Sequence, residues 1–144
     1  MTDIKIIKSC TEKDYENKKS PEEPLSNYLY SLTYIKKINK LKEDEEFINS
    51  LIDDLFTAIQ LISNAILLKK IGIRAKKSNC CYYRLFQEKI INNETYQKID
   101  NLRELRNKAH YDGYQTMLND PEEQKEIIEE NLKIYKKLEE VFES

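Results

Sequence analysis

A chain of 144 residues is long enough to bury a hydrophobic core and short enough to form one domain. Two glycines, three prolines, no tryptophan and 35% charged residues, for a net charge of −2, describe a helical protein with solvated outer faces. Gly72 and Gly113, 41 positions apart, can write neither a P-loop nor a dinucleotide fingerprint, which excludes most nucleotide-hydrolysing folds.

Residues 3–10 carry Ile4, Ile6 and Ile7 and have the pattern of a short helix. The polar run from Thr11 to Ser20 reads as a loop, so residues 1–20 form a loosely attached N-terminal segment. Ser20-Pro21-Glu22-Glu23-Pro24 then signals a helix start, with proline tolerated in the first turn and acids near the positive end of the dipole. Leu25, Tyr28, Leu32, Ile35 and Ile38 repeat at helical spacing to about Leu41.

After a charged break, the most hydrophobic element runs from about Glu45 to Ile71. Ile48, Leu51, Ile52, Leu55, Phe56, Ile59, Ile62, Ile66 and Leu67 make a wide apolar stripe that predicts a central helix. Gly72 is its natural C-terminal cap, and Lys69 and Lys70 suit the negative end of the dipole. Ile73 to Lys77 forms a basic connection, and Ser78 or Asn79 can cap a shorter helix carrying Cys81, Tyr82, Leu85, Phe86 and Ile90.

Asn92-Asn93 marks a turn, and the next helix begins near Glu94 and kinks or ends at Gly113. Asp120-Pro121-Glu122-Glu123 starts the last helix, whose buried positions are Ile127, Ile128, Leu132, Tyr135, Leu138 and Phe142. No stretch reads as a strand, and no repeat or low-complexity segment argues for a second domain. The expected fold is all-α: one domain over 1–144, an antiparallel bundle of four long helices plus one or two short ones.

Three cysteines, two of them the adjacent Cys80 and Cys81, do not make a disulfide framework. With a single histidine a structural zinc site is not expected either. The expectation is reduced, core-filling thiols, with no metal and no cofactor. The first residues lack a long apolar region followed by a small-residue cleavage site, and apolar runs such as Ala65–Leu68 are too short to span a bilayer. A cytoplasmic protein with no membrane association is expected.

The residues with the strongest chemical signal lie between Ile99 and Tyr114. At about 100° per residue, Ile99, Leu102, Leu105, Ala109 and Gly113 form a core-facing stripe. Arg103, Arg106 and His110 follow along its edge within an arc of about 60°, with Asn107 and Tyr114 just beyond. A guanidinium is a planar donor fork that fits phosphate oxygens, and an imidazole exchanges protons near neutral pH. Together such groups can bind a phosphodiester, activate a ribose 2′-hydroxyl and stabilise charge growing on phosphorus. The same histidine would also serve as an ordinary half-buried residue on a helix flank.

Charge is distributed unevenly along the chain. From Lys69 to His110 there are 11 basic residues against 4 acidic ones, a net of +7, while the remainder carries −9. A basic middle containing the Arg-His cluster has the electrostatic character of a polyanion-binding surface.

Arg103 and His110, with six residues between them, fit the spacing Arg, four to six residues, His. With the long helix ending Leu-Leu-Lys-Lys-Ile-Gly-Ile, the Lys-Lys-Ser turn, the Leu-Arg-Glu-Leu-Arg-Asn-Lys-Ala-His-Tyr-Asp helix and the final amphipathic helix, most of the chain resembles HEPN domains. These are the helical bundles named for higher eukaryotes and prokaryotes nucleotide-binding, and the likeness is greatest to small stand-alone prokaryotic members.

The resemblance implies a homodimer whose paired motif helices line a cleft. It further implies a metal-independent endoribonuclease, commonly a toxin of a toxin-antitoxin or antiphage system beside a minimal nucleotidyltransferase. Within it, His110 would move protons and Arg103 or Arg106 would hold the phosphate. Asn107, Lys108, Tyr111 and Tyr114 are the neighbouring candidates for RNA or phosphate contact. Arg106-Asn107 looks like the Arg-polar pair that often opens the motif but leaves only three residues before His110, so either arginine can be the motif residue. Tyr111 and Tyr114 flank the position that some members use for modification, here Asp112. A non-catalytic nucleotide-binding or adaptor module is the alternative.

Overall fold

The computed structural model describes residues 10–112 and 121–144, with side chains described except at 109–112 and 121. The described chain is mostly helical. Its elements are a 3-10 turn at Glu12–Asp14, strand β1 (Tyr15–Asn17), α1 (Glu23–Leu41), α2 (Ile48–Lys70), β2 (Ile73–Ala75), α3 (Ser78–Gln87), α4 (Asn93–Asp112) and α5 (Pro121–Glu143). All but Cys10 of the short helix predicted over residues 3–10, the Gly113 break and the Asp120 cap lie outside the described residues.

α2 forms the centre because its apolar positions leave no polar face wide enough to meet water. All nine stripe residues are fully buried, joined by Ala58, Ser63, Ala65 and Leu68. By length and composition α2 would also cross a membrane, contrary to the expectation that every apolar run is too short; 67% of its most apolar window is buried within the protein instead. Its C-terminus closes as expected: Ile71 and Gly72 both donate to the Leu67 carbonyl, and Gly72 takes φ +86°, a conformation that L side chains rarely adopt.

α1 and α5 run antiparallel along the core. Lys42 pairs with Glu129 at one end (3.0 Å), and at the other Tyr28 donates to Glu139 (2.5 Å) and stacks on Phe142. Between them, buried Ser31 and Tyr135 share a 2.6 Å hydroxyl contact. α3 and α4 join through an aromatic cluster in which Tyr96 meets Tyr82, Tyr83 and Phe86.

Several expectations are corrected. The supposed loop after Thr11 contains β1, which pairs antiparallel with β2 in the register Tyr15 to Ala75, Glu16 to Arg74 and Asn17 to Ile73. Strands of three residues are too short to display a period of two, so the sequence did not announce them. The cysteines are not all reduced: Cys10 is disulfide-bonded to Cys80, with Cα atoms 5.9 Å apart, and only Cys81 is a free, buried thiol. The partners lie 70 positions apart, which spacing rules cannot detect.

Residues 10–17 are therefore stitched down rather than loosely attached, and the Tyr15 hydroxyl adds a 3.0 Å bond to the Cys80 carbonyl. α2 begins at Ile48 because Asp44–Phe47 forms a turn, with the Asp44 carboxylate accepting from the Glu46 amide. Lys77, in extended conformation, precedes α3 in the capping position, and Ser78 is already helical.

Candidate functional site

α4 starts where the Asn92 side chain accepts from the Thr95 amide at 2.8 Å, a capping bond. The helix is then pinned by Tyr96, Ile99 and Leu102, all buried, with Leu105 partly so. This seating brings the outer edge of α4, with Arg103 and Arg106 one turn apart, to the boundary between core and solvent.

Neither arginine is simply solvated. Arg103 Nε donates to Asp100 Oδ1 at 2.9 Å, and the buried Tyr82 hydroxyl from α3 donates to that same oxygen at 2.7 Å. Burial first, and then the Asp100 charge, push the Tyr82 phenol far above its ordinary range, so it remains a neutral donor. Burial works against the Arg103 charge, but the bond to Asp100, together with Tyr82 and the Asp100 charge, outweighs it and leaves the net shift upward. Arg106 Nε donates to Asp53 Oδ1 on α2 at 2.5 Å, and its guanidinium lies 5.3 Å from the centre of the Phe56 ring. Both arginines are thus held through Nε by carboxylates, and both side chains remain partly exposed.

Asn107 is half-buried and Lys108 exposed on the next turn. α4 continues through Asp112, so the backbone at His110 and Tyr111 is helical, while their side chains and all of Tyr114 lie outside the described residues. The structure therefore brings Arg103 and Arg106 to one edge of one helix. Asp100, Asp53 and Tyr82 are the residues that sequence reasoning missed. Asp100 had a signal, three positions before Arg103 on a helix; Asp53 had none.

The basic middle is matched only in part by carboxylates, some from within the same stretch and some folded in from elsewhere. Arg74 meets Glu16 and Glu23, Lys77 meets Asp14, Arg84 meets Glu88, and Lys98 meets Glu94 and Glu130. Lys69 turns to the Phe142 carbonyl and ring. Lys70 reaches the Ser144 hydroxyl, and among the described residues Lys70, Lys76, Lys89 and Lys108 have no carboxylate partner. The charge block in sequence is thus partly offset in space. Among the described residues no three His, Cys, Asp or Glu side chains converge as metal ligands.

The geometry defines a mostly helical protein with a paired-arginine edge on its fourth helix. Comparisons with protein-family models, with curated proteins and with solved structures found no significant match.

Proposed function

We propose that this chain is a metal-independent endoribonuclease built as a HEPN-like antiparallel bundle of four long helices. It would act as the toxin of a toxin-antitoxin or antiphage system. The observation that carries the reading is the unbroken run of α4 from Asn93 to Asp112, with Arg103 and Arg106 on its partly exposed edge. His110 stands seven positions after Arg103, two helical turns further along that edge.

In this reading the arginines hold the phosphodiester. His110 takes the proton from the ribose 2′-hydroxyl as that oxygen attacks phosphorus, or returns one to the departing 5′ oxygen. The products are a 2′,3′-cyclic phosphate and a free 5′-hydroxyl. A homodimer would set two such edges across one cleft, and a nucleotidyltransferase-type antitoxin would be its regulator.

A non-catalytic binding or adaptor module is the second reading. The ion pairs Arg103–Asp100 and Arg106–Asp53 favour it, since each fastens α4 in place without any ligand. Incubation of purified protein with total RNA in EDTA separates the two. Fragments ending in 2′,3′-cyclic phosphate are expected; intact RNA with folded protein leaves the module.

A further inference from the structure

The face made by α1 and α5 involves no residue of α4 and is independent of the ribonuclease reading. A groove of about 340 Å³ opens between these helices, floored by Leu32, Ile35, Leu132 and Tyr135. The floor is preformed, because Tyr135 is fixed by its hydroxyl contact with Ser31 and the two ends are tied by Lys42–Glu129 and Tyr28–Glu139. Along α1, Leu25 and Leu29, about two turns and one turn before Leu32, are 54% and 50% exposed, where a soluble helix ordinarily presents polar side chains. From Leu25 to Asn39 the strip is ~21 Å long, about four helical turns.

The walls carry the second observation. Lys133 and Lys136 border the groove from α5 and have no carboxylate partner among the described residues. Lys36 and Lys40, exposed and equally unmatched among the described residues, follow the α1 side. Of the acids lining the groove, Glu129 is paired with Lys42, while Glu139 at the far end accepts from the neutral Tyr28 hydroxyl. An apolar floor between two lysine-bearing walls matches a helix with one apolar stripe edged by carboxylates on both sides. A second copy docking through the same face would set α1 lysines against α5 lysines.

We propose that the α1/α5 groove is a docking site for an amphipathic helix of a partner protein, with apolar anchors at i, i+3 or i+4, and i+7 and with Asp or Glu along both flanks. The partner is recognised by shape along the floor and by charge along the rims.

The test uses the full chain and two labelled helical peptides of about 16 residues, ~24 Å as helices. Both carry leucines at the stated spacing; one has glutamates on its flanks and its twin has lysines. In fluorescence anisotropy the glutamate peptide should bind and the lysine twin should bind at least about tenfold more weakly. Lys133→Glu with Lys136→Glu should reverse that preference. Leu29→Glu, at an exposed position that does not threaten folding, should weaken the glutamate peptide by about tenfold, and Ile35→Glu should do so more strongly if circular dichroism shows it folded. Failure of the glutamate peptide to bind, equal binding of the twins, or indifference to Leu29→Glu would overturn the proposal. So would a dimer by light scattering that Leu29→Glu dissociates, which would make the face a self-interface, or sedimentation with anionic lipid vesicles that exceeds peptide binding.

Discussion

Arg103 and Arg106 look alike in sequence and are held differently, so their replacement should have different consequences. Arg103 belongs to a network that reaches through Asp100 to Tyr82 on α3, whereas Arg106 reaches Asp53 on α2 and covers Phe56. Asp100→Ala would leave the buried Tyr82 hydroxyl and the Arg103 guanidinium without their acceptor, at a cost of about 1–3 kcal/mol; chemical denaturation measures it. On the proposed ribonuclease reading, Arg103→Ala abolishes cleavage while Arg106→Ala weakens RNA affinity and lowers its salt dependence. The reverse pattern assigns the shorter spacing to the site. His110→Ala should slow single-turnover cleavage by about 10² to 10⁴ with circular dichroism unchanged, and the wild-type rate should vary with pH between about 5 and 8. A His110→Ala variant that cuts RNA at the wild-type rate removes the chemical centre of the proposal.

At the level of elements, the small sheet and the disulfide act as a single fastening. β1 pairs with β2, Cys10 is bonded to Cys80 at the head of α3, and Arg84 lies 5.0 Å from the Tyr15 ring centre. Closing a loop with partners 70 positions apart restricts the unfolded chain, so Cys10→Ser or a reductant should lower stability by roughly 2–4 kcal/mol. Urea unfolding with and without dithiothreitol checks this, and equal midpoints would show that the bond contributes nothing. Elements with many residues in one pattern were legible in the sequence: the α2 stripe, the Gly72 cap and the course of α1 follow from periodicity and end signals alone. This fastening was not, because three-residue strands carry too little pattern and the cysteine partner is remote. The Asp53–Arg106 contact was hidden for the same reason, being a product of how α4 lies on α2. The position of Arg103 and Arg106 at the edge of the core was therefore legible, but the groups that grip them were only partly so.

For the molecule as a whole, the proposed dimer makes a direct prediction: light scattering should report twice the chain mass, and a stable monomer at micromolar concentration would remove the shared cleft. A second whole-molecule property follows from the buried phenols and thiol. Burial, opposed by the Arg84 charge, raises Tyr15 from 10.0 to about 12. Burial also raises Tyr135 to about 12, with Glu139 adding to it and the Ser31 bond working against it. Burial lifts the Cys81 thiol from 9.0 to about 12. Each group is neutral when protonated, so between the unfolded and folded values the native state retains protons that the unfolded chain has already released. Stability from these groups is fully present below about pH 8, begins to fall near the unfolded thiol's pKa and continues to fall as pH rises toward 12. Unfolding midpoints measured across that range should decline. Cys81→Ala should remove the early part of the decline, beginning near the unfolded thiol's pKa of about 8.5, whereas Tyr15→Phe should affect only the part above about pH 10. A flat profile to pH 12 would mean that these groups titrate in the folded protein as they do in the unfolded chain.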